Sequence, residues 1–471
     1  MNPSYVSTRG EAPELGFLDV LLAGLARDGG LYVPSEWPHL SAETIESFAG
    51  APYAAVAEAV ISPFVGDAFA PADLRSMIDE AYANFRHPAV APLVQTGTNS
   101  FVLELFHGPT LAFKDVAMQL LARMMDRALM LRGERATIVG ATSGDTGGAA
   151  IEAFRTCERV DVIILFPHGR VSDVQRRQMT TVDAPNVHAV AVEGNFDDCQ
   201  ALVKAMFNDH RFRDGQKLAA VNSINWARIL AQVVYYFTSA VALGAPHRPV
   251  SFVVPTGNFG DVFAGWVAKR MGLPIERLVV ATNSNDILAR TIETGRCEVK
   301  GVHPTTSPSM DIQVSSNFER LVFEAEGRDP AAVRRHMASL GQAGAFTLGN
   351  TPLAAIRGEF DAGRANETET SETMRRLLRE SGYLSDPHTA VALSVSQRLA
   401  GDPEVPRVVL GTAHPAKFPD AVIAATGEHP DLPEHVAHIM QGAERMTVLP
   451  NDLVTIQAFV AEKSRASLEV V

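Results

Sequence analysis

The chain is poor in the features that staple, anchor or disorder a protein. Its three cysteines, Cys157, Cys199 and Cys297, are odd in number and widely spaced, which excludes a disulfide framework and gives no zinc-ligand spacing. Such scarcity suits a reducing compartment. No apolar run reaches the roughly 20 residues that a membrane-spanning helix needs, and the best, Val233 to Ala245, is interrupted by Thr238 and Ser239. Met1 to Glu11 lacks a basic stretch followed by an apolar core, so a cytoplasmic protein is expected, with no membrane partner. Low-complexity tracts and convincing internal repeats are missing too. Positive charge is in deficit: 41 lysines and arginines face 54 aspartates and glutamates, and the formal net charge of -13 argues against a nucleic-acid binder. An anionic small substrate is still allowed, because it needs only a local cationic pocket.

What is present is an ordinary globular composition in 471 residues, enough for two or three domains. Through about residue 90, helical stretches (17–26, 41–49 and 71–83) alternate with proline-containing connections, which predicts a mainly helical N-terminal domain. After His87-Pro88 the pattern becomes short branched-apolar runs, glycine turns and helices. Residues 136–141, 161–166, 187–192, 251–254, 278–282 and 407–410 read as strands of βα units, and hence of parallel sheets flanked by helices. Residues 363–371 read as a polar surface connection, and the segment from Glu428 as a mainly helical appendix.

The nine residues from His107 to Asp115 place a lone lysine, Lys114, at a turn before a long apolar helix. Residues 116–132 hold no glycine or proline and repeat Val116, Leu120, Met124 and Leu131 near helical spacing. A helix N-terminus and an apolar neighbour such as Phe113 both disfavour the ammonium form, leaving a neutral amine able to condense with an aldehyde. The alternative is a surface lysine near a helix start.

Two glycine loops follow predicted strands. Thr142-Ser143-Gly144-Asp145-Thr146-Gly147-Gly148 and Pro255-Thr256-Gly257-Asn258-Phe259-Gly260-Asp261 each lead into a helix, where unpaired backbone amides attract anions. A tight turn with glycines for packing is the alternative for either loop alone. Neither ends in the Gly-Lys-Ser or Gly-Lys-Thr of a nucleotide loop. The strand after the first loop closes with Pro167-His168-Gly169, which places no carboxylate for a ribose.

Together, the segment from His107 to Asp115, the two loops, Tyr5 to Gly10, Asp28 to Pro34, Asn222 to Ile229, Ser315 to Arg320 and Thr412 to Phe418 resemble the threonine synthase family in family order. The likeness is to its bacterial and fungal branch and runs nearly end to end. It implies a fold-type-II pyridoxal-phosphate enzyme, similar to the tryptophan synthase beta subunit, in which Lys114 carries the cofactor aldehyde carbon. By the same resemblance Gly257, Asn258, Phe259, Gly260 and Asp261 hold the cofactor phosphate, and Thr412 hydrogen-bonds the ring nitrogen. Thr142, Ser143, Gly144, Asp145 and Thr146 grip the substrate carboxylate, with the partner of Asp145 left open. For the substrate phosphate, Asn225, Arg228, Ser316, Asn317 and Arg320 are candidates, with Lys417 and His414 in reserve.

The implied organisation is an N-terminal domain over 1–90, a large cofactor domain over 91–128 and 222–471, and a smaller mobile domain over 129–221. The implied reaction turns O-phospho-L-homoserine and water into L-threonine and phosphate. A phosphohomoserine lyase forming 2-oxobutanoate, a serine/threonine dehydratase and a non-catalytic phosphometabolite binder are the alternatives. A monomer or weak homodimer without a metal is expected.

Overall fold

A computed structural model describes residues 2–466. Met1 and residues 467–471, the outer ends of the expected N-terminal and large domains, lie outside the described residues. Two parallel sheets dominate. The larger has six strands in the order Phe360–Arg364, Ile275–Thr282, Val250–Pro255, Arg407–Gly411, Ser100–Glu104 and Leu93–Gly97. All its pairs are parallel except the last, an antiparallel hairpin. The smaller sheet, parallel throughout, runs Thr447–Pro450, Val187–Glu193, Val160–Pro167, Ala136–Ala141 and Leu218–Ala219. Val160–Pro167 and Val250–Pro255 are buried at every position. This is why, apart from Asp161 and Ser251 near their starts, they read as Val, Ile, Leu and Phe runs: helices cover both faces, so no regular alternation with polar residues is expected.

All the expected strands are present, and several pieces were not foreseen. The N-terminal region is mainly helical but opens with a small antiparallel sheet of Ser4–Ser7, Leu15–Gly16 and Tyr32–Pro34. It also holds a helix, Tyr53–Val65, that tolerates Pro63 in its interior. Residues 363–371, expected as a surface connection, are instead the end of an edge strand and the start of helix Glu367–Ser381. Asn366 sets that start, in a capping box with Glu369 that satisfies amides at the helix entry. The C-terminal segment, assigned above to the large domain as a helical appendix, is corrected in part. Thr447–Pro450 joins the smaller sheet beside Val187–Glu193, and Ile456 and Val460 of helix Leu453–Lys463 share that sheet's core with Val190, Val192 and Met206.

Helix Lys114–Arg132 lies in the main core with Val116, Leu120 and Met124 buried, each worth roughly 1.5–3 kcal/mol of burial if a large apolar side chain is fully covered. Leu131, expected on the same stripe, is exposed in the last turn. Gly133, in the left-handed conformation, ends the helix. No described helix is long and apolar enough to cross a membrane, and no described cluster of His, Cys, Asp or Glu is arranged to hold a metal ion.

Candidate active site

Ligands in open parallel sheets bind at the carboxyl ends of the strands. Lys114, Thr142, Gly257 and Thr412 all follow such ends. The Lys114 and Thr412 segments are zipped together: Phe113 N–H donates to the Thr412 carbonyl at 2.8 Å, His414 N–H donates to Leu111 O at 3.0 Å, and Ala112 bridges Ala413. Thr412 is braced from the other side, where its N–H donates to Thr389 Oγ1 at 3.2 Å and that hydroxyl donates to Asp386 at 2.8 Å.

Lys114 begins its helix and is buried. Its ammonium is disfavoured chiefly by burial, with Arg228 and Lys417 adding repulsion, so its pKa lies below that of an ordinary lysine even though Asp145 pulls the other way. The expected direction is therefore found, with desolvation as its leading cause. Lys114 Nζ also sits 4.7 Å from the centre of the Phe113 ring. Asp145 is the first residue of the opposite helix, Asp145–Phe154. Its Oδ2 lies 3.5 Å from Lys114 Nζ, while Oδ1 accepts from Gln175 Nε2 at 2.9 Å and forms an ion pair with Lys417 Nζ at 3.0 Å. Burial pushes Asp145 up, but the two lysines outweigh it and hold the carboxyl far below the usual range.

Strand Val250–Pro255 turns through Phe259, in the left-handed conformation, into helix Gly260–Arg270. Backbone amides 257–262 donate to no acceptor among the described residues. The loop's carbonyls are tied back instead: Ser315 Oγ donates to Gly257 O at 2.7 Å, and Asn317 Nδ2 to Asn258 O at 2.9 Å. Gly257 is obligatory because a Cβ there would lie 2.7 Å from Ser309 O. A row of free amides at a helix N-terminus matches a phosphate monoester. With a buried lysine whose ammonium form is disfavoured, and Thr412 tied to the neighbouring Phe113, the donor set fits pyridoxal phosphate. Asp261 is distinct from its loop neighbours: its Oδ1 accepts from the Tyr235 and Tyr236 hydroxyls, its Oδ2 is buried without a partner, and burial raises its pKa to about 6.

The first loop is similarly poised. Amides of Ser143, Asp145 and Thr146 have no described acceptor, whereas Gly144 and Gly147 donate to Thr142 Oγ1 at 3.0 and 2.9 Å. Thr142 therefore braces the loop with the hydroxyl expected to touch substrate. Gly144, at φ 138°, leaves room for the Gln175 side chain that holds Asp145.

Several expected phosphate-binding side chains are already committed. Asn225 caps helix Trp226–Ala242 through Ala227 N–H and donates to Leu21 O at 2.9 Å. Arg320 donates to Tyr32 O at 3.0 Å, to Ile224 O at 2.7 Å and to Asn317 Oδ1. Asn317 donates to Ser223 O at 3.0 Å as well as to Asn258 O. In this structure these three side chains brace the scaffold: Asn317 spends both amide hydrogens, Arg320 three of its five N–H groups and Asn225 one of its two on protein oxygens. Lys417 is likewise spent, on Thr110 O, Gln178 Oε1 and Asp145. His414 is held neutral by burial, its pKa lowered to about 4, and it caps the turn at Ala416. Ser316 is half-buried with no side-chain bond. Arg228 is different. It is buried, donates to Val221 O at 3.2 Å, and keeps Nε without a partner.

The sequence reading missed Gln175, Asp386 and Thr389, and placed Ser315 only within a polar segment. Two had readable local signals: Gln175 in the capping box with Ser172 that opens helix Asp173–Thr180, and Asp386 as the cap before Pro387 that opens helix Pro387–Arg398. Their place in the site comes from neighbours distant in the chain.

The family model described as Threonine synthase N terminus matches residues 4–82, Pyridoxal-phosphate dependent enzyme matches 86–411, and Threonine synthase, C-terminal matches 389–460. The threonine synthase of Pseudomonas aeruginosa is 54% identical over 459 residues, spanning 97% of this chain and 98% of that protein. The crystal structure of PLP-bound threonine synthase from Brucella melitensis superposes with a TM-score of 0.97 at 63% identity, covering 98% of this chain and 100% of that one. Yeast threonine synthase gives a TM-score of 0.93 at 38% identity, covering 98% of each chain.

Proposed function

The chain belongs to the threonine synthase family of pyridoxal-phosphate enzymes, and from that premise we infer that it converts O-phospho-L-homoserine and water into L-threonine and inorganic phosphate. The observation that carries this reading is the meeting of one buried lysine with two loops of unpaired amides, one for each anionic end of a cofactor and substrate pair.

Lys114 would hold the cofactor, amides 257–262 its phosphate, and Thr412 its ring nitrogen. When bound, the cofactor supplies an electron sink for the charge left as protons depart beside the substrate amine. Thr412 offers a hydroxyl, which does not keep a proton on the ring nitrogen as a carboxylate does, and this favours elimination and replacement over transamination. The amides of Ser143, Asp145 and Thr146 receive the substrate carboxylate. Arg228, with its unpartnered Nε, suits the substrate phosphate. Lys114 is the one amine placed to carry protons among the alpha, beta and gamma carbons, so that phosphate leaves the gamma carbon before water adds at the beta carbon. Water must be held off until then, which calls for the smaller lobe, including 129–221 and the C-terminal strand, to close on the larger one. The buried free cysteines suit a reducing cytoplasm, and the resemblance to the bacterial and fungal branch suits a monomer or weak homodimer.

The test is to supply O-phospho-L-homoserine to the pyridoxal-phosphate-loaded protein and quantify products. Threonine and phosphate in equal amounts are expected. Phosphate with 2-oxobutanoate and no threonine would replace this reading by a lyase, and binding without turnover by a non-catalytic protein.

A further inference from the structure

Lys417 is fully buried; its ammonium donates to Thr110 O at 2.7 Å and Gln178 Oε1 at 2.9 Å and pairs with Asp145 Oδ1 at 3.0 Å. These acceptors belong to separate elements: the turn before the Lys114 helix, helix Asp145–Phe154 and helix Asp173–Thr180. The same corner is tied twice more, by Gln178 Nε2 to Thr110 O at 2.9 Å and by Ser172 Oγ to Lys417 O at 3.3 Å. Lys417 therefore fastens the smaller-sheet helices to the segment that carries Lys114.

Asp145 lies between two lysines that differ in kind. Lys417 is the closer, fully buried and held by two further acceptors, whereas Lys114 is 0.5 Å farther away and must act as a neutral amine during the reaction. A buried carboxylate stripped of its counter-ion is strongly destabilised. If Lys114 were the sole cation available to Asp145, losing its proton would leave that charge uncompensated, and the amine would be held as ammonium.

We propose that Lys417 is the permanent counter-ion of Asp145, a positioning residue that fixes this carboxylate across the lobe boundary and leaves the Lys114 amine free for chemistry. The inference rests on the reading of Lys114 as the cofactor lysine. The charged or titratable groups facing Asp145 are Lys114, Lys417 and His388; those facing Lys114 are Asp145, Arg228, Lys417 and Asp261. Of these, only the two lysines lie within ion-pair distance of the Asp145 carboxylate. Without Lys417, Asp145 turns its full field on Lys114, and the amine loses its proton only at higher pH.

The experiment follows the absorbance change as full-length apo-protein captures pyridoxal phosphate, from neutral to alkaline pH, for wild type, Lys114→Ala, Lys417→Gln and Lys417→Gln/Asp145→Asn. Circular dichroism is recorded for each. In Lys417→Gln the midpoint of the capture rate moves up by about one pH unit, a tenfold change in the proton affinity of the amine. The double variant, which loses both buried charges together, returns to the wild-type midpoint, and it carries the test alone if Lys417→Gln does not fold. A wild-type midpoint in Lys417→Gln, or a double variant that is folded and still shifted, overturns the counter-ion role. Capture by Lys114→Ala with the wild-type spectral change instead overturns the reading of Lys114.

Discussion

Asn317 holds one carbonyl twice: its side-chain amide and its backbone N–H both donate to Asn258 O, at 2.9 and 3.1 Å. Turning that carbonyl outward leaves the neighbouring amides facing the site. Asn317→Ala leaves Asn258 O with the backbone N–H alone and strands the Ser223 carbonyl and one arm of Arg320. A loss of about 2–4 kcal/mol in stability is expected, together with weaker pyridoxal phosphate binding. Thermal denaturation and a fluorescence titration of the apo-protein measure the two, and an unchanged cofactor affinity would show that the loop needs no brace.

Arg228 is the buried cation with a donor to spare. Arg228→Gln should raise KM for O-phospho-L-homoserine by on the order of tenfold to a hundredfold, the worth of a charge-assisted hydrogen bond at about 1.5–3 kcal/mol. The spectrum of the bound cofactor should be unchanged. If KM for substrate and inhibition by free phosphate both match wild type, Arg228 serves the fold alone.

For Asp261 the pKa is raised by burial from 3.8 to about 6. Between those values the folded protein binds more protons than the unfolded chain, so this group's contribution is full below pH 3.8 and is lost as pH rises through about 6. The isosteric Asp261→Asn keeps an acceptor for Tyr235 and Tyr236 and removes the titration. Relative to wild type, the apo-variant should gain about 3 kcal/mol in stability on going from acid to neutral pH. Denaturant unfolding at several pH values checks this, and a pH-independent difference would exclude a buried ionising Asp261.

Lys114→Ala removes both the attachment point and the proton carrier. Turnover should fall by at least on the order of 10²–10⁴-fold from lost proton transfer alone, and the absorbance of bound cofactor should disappear while the far-ultraviolet circular dichroism is retained. Residual turnover near wild type would move the chemistry to another residue.

Much of this was legible in the chain because both sheets are buried on two faces, so that stretches such as 162–166 and 252–254 stand out as apolar runs. Edges were harder. Phe360–Arg364 carries Asp361, Gly363 and Arg364, and the hairpin from Leu93 to Glu104 is half-exposed, so neither stands out from a loop by composition. Within the site, Lys114 and the glycine loops announce themselves because a helix start and a turn are local events. The roles of Arg320, Asn317 and Lys417 do not, since a polar side chain bound to a distant carbonyl and one bound to a ligand are written with the same letters. Asp145 shows the limit well: its nearest partners are Lys114, Gln175 and Lys417, and no local pattern links them.

The edge strand Thr447–Pro450 gives the chain a late step in folding. Its partner, Val187–Glu193, is made early in synthesis, yet stays without this neighbour until the C-terminal end has been produced. Such a long loop closure is slow, and an uncovered parallel edge is prone to pair with other chains in the interval. A chain made only as far as residue 446 would therefore hold a nearly complete cofactor lobe beside a smaller lobe with an open edge.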